Sequence, residues 1–450
     1  MRRLIYVALR RVAAIDHRLR ERLTFAGWLA LGAAGAAAAA GLDTNLTVTY
    51  RAFAFLGSLL ALAWLATLAW RPRAEASREL PRYATAGEPF RYRVTVVNRG
   101  ARALSGAEVA EQFRDPRPDF EDWKRAREPG EERRNWFDRN VGYFRWRWLI
   151  ERRVPRDAAP AALGALAPGE RASLGLAFTP RRRGRIELAG LTLARPDPLG
   201  LVKGLARVAL PARVVALPKR YRLPEIALPG RRKFQPGGVS LAASVGDSEE
   251  FLSLRDYRPG DPLQRVHWKS FARAGRPVVK EYQDEFFERH ALVLDTGSAR
   301  GEHAAFEEAV ALAASFVYTL DTHDCLLDLL FVGGAAYPAD PSVRSFTAGR
   351  GQMHAQHMLE VLAGIGASPP GEFGALARAV LARRGTLSSV IAVLLAWDEP
   401  RARLTAALRA EGFELRILLV CAEAEAPQPL PAGVLHLVPG AIERGLMALR

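Results

Sequence analysis

A chain of 450 residues, 49% apolar and 25% charged, has globular composition, which excludes a disordered or fibrous protein and leaves room for two or three domains. Its net charge of +16 is uneven: residues 291–450 carry 12 Arg, no Lys and 17 Asp or Glu, a net −5, so the remainder holds +21 and a boundary near 290 follows. Positive charge of that size suits nucleic acid, anionic lipid or an acidic protein, although an excess of Arg over Lys is equally the mark of biased codon usage. Cys325 and Cys421, each beside an apolar run, exclude a disulfide framework and read as buried thiols in a reducing compartment.

Residues 1–23 form a basic N-terminus holding Arg2, Arg3, Arg10, Arg11, Arg18, Arg20 and Arg22. Residues 24–42 and 52–70 follow as two uncharged stretches of 19 residues each, long enough at about 1.5 Å per residue to cross a hydrocarbon core of about 30 Å. Together they predict a transmembrane helical hairpin over 24–70. Gly27, Gly32, Gly35 and Gly41 let the helices approach closely, and Trp28, Tyr50, Trp64 and Trp70 lie toward the span ends, where amphipathic rings favour the interface. Seven Arg precede the first span, Arg71, Arg73 and Arg78 follow the second, and the loop from Asp43 to Arg51 has only Arg51. The positive-inside rule then puts both termini and the soluble domains in the cytoplasm, on the inner membrane.

From about residue 75 to 220 the pattern turns to short alternating strands between Pro and Gly turns, as at 88–100, 172–178, 185–193 and 206–216. This predicts a β-sandwich of immunoglobulin-like architecture. Residues 114–150 interrupt it with charges and Trp123, Trp136, Trp146 and Trp148. Arg interleaved with aromatics suits a lipid headgroup layer or single-stranded nucleic acid, the latter less so beside a bilayer. The plain reading is an insertion whose aromatics pack on the sandwich.

Residues 240–289 carry the most distinctive motif, Arg255-Asp256-Tyr257-Arg258-Pro259-Gly260-Asp261, then Arg265, Trp268 and Arg273. Read by itself, Asp261 follows a Pro-Gly turn and is placed to cap orphan amides. Arg255, Arg265 and Arg273 with Asp256 and Asp261 are expected to form a buried ion network that ties the segment to its domain, or else a cationic pocket for a phosphate or carboxylate. His267 has no Ser or Cys partner suggested by spacing, so no catalytic set is read here. With Arg183-Gly184 and Arg195-Pro196-Asp197-Pro198-Leu199-Gly200-Leu201 upstream, the chain resembles the bacterial membrane proteins of domain of unknown function 58.

Residues 290–450 alternate apolar strands (291–295, 325–332, 389–396, 414–421, 434–438) with helical stretches (303–320, 352–363, 373–383, 400–410), which predicts an α/β doubly wound, mainly parallel sheet. The resemblance implies a von Willebrand factor type A-like domain, whose metal site uses Asp-x-Ser-x-Ser after its first strand. Here that pattern is Asp295, Gly297 and Ala299, both serines missing, with Asp398 as a second carboxylate. The expectation is no cofactor, with weak Mg²⁺ held by Asp295 and Asp398 as the alternative. His354 and His357 lack a third ligand, Asp321, Asp324 and Asp328 are expected to be solvated, and Gly333-Gly334 is a turn rather than a phosphate cradle.

The whole reads as a membrane-anchored multidomain chain. No catalytic residues are identified, so the expected function is a membrane-tethered, non-enzymatic adaptor, and the resemblance implies an AAA+ ATPase of the MoxR type as its partner. The rivals are a metal-dependent enzyme or adhesion module at the type A-like domain, and a lipid or nucleic-acid binder acting through 114–150.

Overall fold

The computed structural model describes residues 2–40, 47–128, 130–224, 250–261, 263, 266–283, 288–298, 303–319, 325–333, 343–347 and 352–447. The chain divides into two compact units, Met1–Lys219 with the short segment Glu360–Gly364, and Arg220–Leu359 with Ile365–Arg450.

The first unit begins with three helices, α1 (Arg2–Arg22), α2 (Phe25–Ala40) and α3 (Thr47–Leu68). Residues 48–68 of α3 form the helix long and apolar enough to cross a membrane among the described residues. It packs against α2. At 16 residues α2 is shorter than the 19-residue span read from sequence, and the end of that span lies outside the described residues. α1 is an element the sequence reading left as a basic segment.

Strands β1 (Ala74–Glu79), β2 (Tyr83–Thr85), β3 (Phe90–Asn98) and β4 (Ala107–Phe113) follow. The insertion is helical, with α4 (Phe120–Arg125), α5 (Trp136–Val141) and α6 (Tyr143–Arg153), before β5 (Ala161–Leu163), β6 (Arg171–Phe178), β7 (Gly184–Pro196) and β8 (Lys203–Leu217). These strands make a three-stranded sheet, β1-β3-β6, and a five-stranded sheet, β2-β8-β7-β4-β5. Alternation along β3 buries Phe90, Tyr92, Val94 and Val96 on one face, where they meet Leu176 and Phe178 of the same sheet and Val109, Leu188 and Leu193 of the other. A β-sandwich core results. It encloses one ion pair, Arg78 with Glu111 at 2.7 Å, whose side chains are 2% and 3% exposed, with Tyr92 donating to the same carboxylate at 2.6 Å.

The insertion does not lay its aromatics on that core. Trp123, Trp146 and Leu149 bury instead against Tyr6 of α1, whose ring meets those of Phe120 and Trp146 edge-on at 5.4 and 5.6 Å. Tyr6 also donates to the carbonyl of Pro118 and Trp123 to that of Gly142, both at 3.1 Å. A second small core therefore joins the N-terminal helix to residues 114–150, and only some rings (Trp136, Phe137 and Tyr143) stay exposed.

The second unit holds β9 (Glu250–Asp256), α7 (Trp268–Ala274) and β10 (Val278–Gln283), then β11 (Glu288–Leu294), α8 (Ala304–Thr319), β12 (Cys325–Val332), β13 (Val343–Thr347), α9 (Gln352–Gly364) and α10 (Phe373–Ala382). It ends with β14 (Ser389–Leu394), α11 (Glu399–Ala410), β15 (Glu414–Val420), β16 (Val434–Leu437) and α12 (Ile442–Leu446). Among the described residues β9 and β10 pair with each other as a two-stranded antiparallel ribbon. The other six strands form one sheet in the order β13-β12-β11-β14-β15-β16, parallel except for β13 at the edge. The central strands carry continuous apolar runs, as a parallel sheet buried on both faces requires.

One expectation fails here, and the reading of Cys421 as a buried thiol holds. Asp328 is 1% exposed and lies 3.4 Å from the Arg289 guanidinium, because β12 is central and its neighbour supplies the cation; Asp321 and Asp324 lie outside the described residues. Cys421 is buried, and burial pushes its thiol pKa up.

Candidate functional site

The strand order reverses between the neighbours β11 and β14: the chain leaves β11 toward β12 on one side and leaves β14 toward β15 on the other. In open parallel sheets the crevice beyond the carboxyl ends at such a reversal is where ligands bind. Asp295 stands there, one residue past β11, and is 1% exposed. Its Oδ1 accepts from the amide of Gly297 at 3.0 Å, and its Oδ2 from the amide of Leu395, just past β14, at 3.1 Å.

A guanidinium completes the set. Arg401, on the first turn of α11, donates from Nε and from Nη2 to Asp295 Oδ2, each at 2.8 Å, and also pairs with Asp398. Asp398 caps α11, accepting from the amide of Arg401 at 3.2 Å, so helix and sheet are locked through one side chain. Phe373 of α10 lies under the guanidinium, 4.4 Å from its carbon to the ring centroid. Burial works against the charged guanidinium, but hydrogen bonds and charge from Asp295, then Asp398, outweigh it and raise its pKa. Arg401 is 2% exposed, and the sequence reading missed it. An Arg three residues after an N-capping Asp on an apolar helix was the signal available.

The structure thus brings Asp295 and Asp398 together, but around a cation of the protein's own. Both Asp295 oxygens are already engaged, and a divalent ion would stand beside a fixed positive charge. Ala299 lies outside the described residues, and among them no cluster of three or more His, Cys, Asp or Glu is placed to hold a metal ion. The residues present do not fit Mg²⁺, which needs several free oxygen ligands.

The rim of the crevice is polar. Thr296 donates to the carbonyl of Val332 at 2.7 Å and contacts Ser368 at 3.0 Å, while the Ser368 backbone pairs with Thr296 and Ser298. Ser298 Oγ lies 3.0 Å from His303 Nδ1.

The Arg255 to Arg273 motif lies apart from these residues in the sequence and folds on itself. Arg255 holds Asp261 in a fork of 2.7 and 2.8 Å, and Asp261 also accepts from the amide of Arg258 at 2.8 Å. These bonds, that of Arg255 first, depress the Asp261 pKa to about 2. Gly260, at φ +106°, makes the turn that brings Asp261 back to Arg255. Tyr257 and His267 donate their amides to Pro277 and Val278 at 3.0 and 2.8 Å, closing the segment as a ribbon with α7.

The expected buried network is therefore a local and partly exposed pair, with side chains 33% and 16% accessible. Its ties are short-range because β9 and β10 are each other's only strand partners among the described residues. Trp268 and Arg273 face outward on α7, Trp268 at 63% exposure, and Arg265 lies outside the described residues. His267, read as lacking a Ser partner, has one in Ser270, whose Oγ is 2.6 Å from Nδ1, because the first turn of α7 superposes residues three apart.

The upstream Asp-Pro-Leu-Gly-Leu element is the β7–β8 turn. Asp197 accepts from the amides of Leu199, Leu201 and Val202 at 2.8, 2.7 and 2.7 Å. The carbonyls thereby turned outward meet the start of α2: Thr24 donates its hydroxyl to Gly200 at 2.5 Å and its amide to Leu201 at 3.1 Å. A Cβ on Gly27 would stand 2.0 Å from the Leu201 oxygen, so only glycine admits this approach. The far end of α3 reaches the start of β8 beside this turn, with Trp70 and Thr67 against Gly204.

Residues 253–437 match the family described as Protein of unknown function DUF58. The "Uncharacterized protein YeaD" of Bacillus subtilis is 27% identical over 212 residues, 46% of this chain, and the chain spans about half the length of that relative (50%). Among solved structures, the CARDB domain of a Pyrococcus furiosus protein, crystallised with di-metal ions, is 13% identical and covers 32% of this chain and 87% of its own, at a TM-score of 0.17. The ASH/PapD-like domain of a human protein is 11% identical over 32% of this chain and 85% of its own, at 0.16. At those scores the likeness carries no argument, and the sandwich is described from its own strands.

Proposed function

We propose that this chain is a membrane-tethered, non-enzymatic adaptor that docks a partner protein at the crevice end of a von Willebrand factor type A-like domain. The observation that carries the proposal is Arg401 held by Asp295. Where such a site would recruit a partner through a divalent ion, an internal guanidinium occupies the carboxylate, so docking here runs through the polar rim and needs no metal. The strand order 3-2-1-4-5-6 with an antiparallel edge supports the type A-like assignment.

The tether is α2 and α3 acting as a transmembrane hairpin. Thr24 meets the β7–β8 turn and Trp70 the start of β8 beside it, which supports a hairpin whose two outer ends share one side of a bilayer. Phe55, Leu62 and Leu65 are exposed along α3, as lipid contact requires. Orientation follows from the ten flanking Arg and places the soluble units in the cytoplasm on the inner membrane. The partner that the family resemblance points to is an AAA+ ATPase of the MoxR type, which this chain would localise at the membrane.

The test is capture of that ATPase by the tagged full-length chain in mild detergent, with and without EDTA, beside an Arg401→Met variant. Binding that persists in EDTA supports the proposal. Binding abolished by chelator, or a micromolar Mn²⁺ site on the parent chain, overturns it.

One observation favours an enzyme instead, the Ser298–His303 contact, since a serine beside an imidazole is half of a nucleophile–base arrangement. The Asp295 carboxylate is turned to Arg401 and does not orient that pair. A fluorophosphonate probe that labels the chain at Ser298 would revive the enzymatic reading.

A further inference from the structure

At the end of α3 the first unit opens a cleft of about 570 Å³ lined by Trp70, Arg71, Arg73, Arg102, Arg195 and Asp197, among others. Its charge is unbalanced. The four Arg are exposed, and none forms an ion pair among the described residues. The carboxylate of Asp197 is consumed by three backbone amides of its own turn. A second cleft, of about 600 Å³ beside residues 113–117 and 180–187, is also rich in Arg, but its walls supply Asp115, Asp122 and Glu187 as partners. There Arg114 pairs with Glu187, Arg117 with Asp115 and Arg153 with Asp122. Unpaired guanidinium groups converging on one concavity repel each other, and a fold keeps that arrangement where an external anion relieves it.

We propose that this cleft binds the headgroup phosphate of an anionic phospholipid. Four features select a lipid. The cleft begins where the membrane-crossing helix ends, with Ala66, Thr67, Ala69 and Trp70 in its wall, so its mouth stands at headgroup depth. Trp70 is an interfacial residue in position, with its ring against Gly204 of β8 and the Arg cluster directly after it. Guanidinium groups meet phosphate oxygens in bidentate pairs that lysine cannot make. Leu199, at the tip of the Asp197 turn, is 51% exposed beside the start of α2, where it would enter the acyl boundary. Basic residues immediately flanking a span are, in general, the elements that hold anionic lipid. The bound lipid would fix the sandwich to the bilayer where the β7–β8 turn and the start of β8 already meet the two helices.

The inference rests on the membrane tether, and two separate readouts keep the failures apart. Tethering is read first: the full chain must stay in the membrane pellet after carbonate extraction, and release by carbonate would sink the tether and this inference together. Lipid binding is then read on the purified chain in dodecyl maltoside, titrated with dioleoyl-phosphatidylglycerol and followed by native mass spectrometry and thermal shift. Arg71, Arg73, Arg102 and Arg195 are changed together to Gln, and a charge-matched control changes the exposed Arg91, Arg133, Arg139 and Arg171.

The cleft variant is expected to lose at least about tenfold in phosphatidylglycerol retention, while the control keeps most of it. Its melting temperature without lipid should match the parent, because the four side chains are exposed and form no ion pair among the described residues. Equal loss in both variants would mean a diffuse field rather than a site and would overturn the proposal. So would displacement by low-millimolar inorganic phosphate, which would make the cleft a site for free anions, or equal retention of zwitterionic phosphatidylcholine.

Discussion

Replacing Arg401 by Met keeps the length and apolar stem of the side chain but removes the cation from beneath Asp295. The carboxylate is then left 1% exposed with only the amides of Gly297 and Leu395 to hold it. Breaking one side of a buried pair costs about 3–5 kcal/mol, because the remaining charge has lost both water and partner. For a unit of this size each kcal/mol moves the melting temperature by about 2–4 °C, so a fall of roughly 6–20 °C is expected. The measurement is thermal unfolding of the detergent-solubilised full chain. Hydrogen exchange on peptides spanning β11 and β14 then assigns the transition to the second unit. Asp295→Asn in the same chain should restore much of the loss, since a neutral amide does not need the guanidinium; a coupling of at least about 1 kcal/mol in the double-mutant cycle is expected. If Arg401→Met melts with the parent, or the two changes simply add, then the guanidinium is not what stabilises the Asp295 carboxylate and the reasoning about the metal site collapses with it.

Gly27→Val should separate α2 from the β7–β8 turn, because its Cβ would fall 2.0 Å from the Leu201 oxygen; protease cleavage near Leu199 in membrane vesicles should rise relative to the parent. Asp261 titrates in the folded chain near 2, below its ordinary value of about 3.9, so its contribution is fully present above about pH 4 and is lost as pH falls toward 2. Exchange protection of the β9–β10 ribbon should therefore weaken across that window in the parent and change less in Asp261→Asn, and identical acid profiles would refute the link. A single cysteine at Asn45 should react with an impermeant thiol reagent in intact cells and one at Ser77 should not. The reverse pattern would invert the proposed orientation.

Much of the architecture was legible because periodicity reports burial directly. The β3 alternation and the apolar runs at 325–332 and 389–396 each became strands, and the face of α8 holding Phe306, Ala309, Val310, Ala313 and Val317 is buried. α1 was not legible, because its one buried aromatic, Tyr6, finds its partners more than a hundred residues away in the insertion. The same long reach hid Arg401. Nothing local distinguishes it from Arg403, whose side chain lies in solvent and pairs with Glu399 along the helix; what buries Arg401 is a carboxylate 106 residues earlier in the chain. His267 failed the opposite way, since its partner Ser270 lay within the spacing that a helical first turn would have offered.

The Asp-Pro-Leu-Gly-Leu element shows why a short motif need not be a chemical site. Asp197 takes three amides, which leaves the Gly200 and Leu201 carbonyls facing out as acceptors, and Thr24 and Gly27 are the residues that meet them. Asp197, Gly200 and Leu201 are then accounted for by one task, fastening the sandwich to the start of an apolar helix. The Arg255–Asp261 fork has the same character, a turn held by its own side chains. What differs at Asp295 is that the carboxylate reaches across the sheet to bind a helix, in the crevice where such folds place their ligands. A cation fixed by the chain itself is always present, so the docking proposed at that crevice should not vary with free Mg²⁺. Regulation would then have to come from the partner's own state, as it does for a nucleotide-driven ATPase.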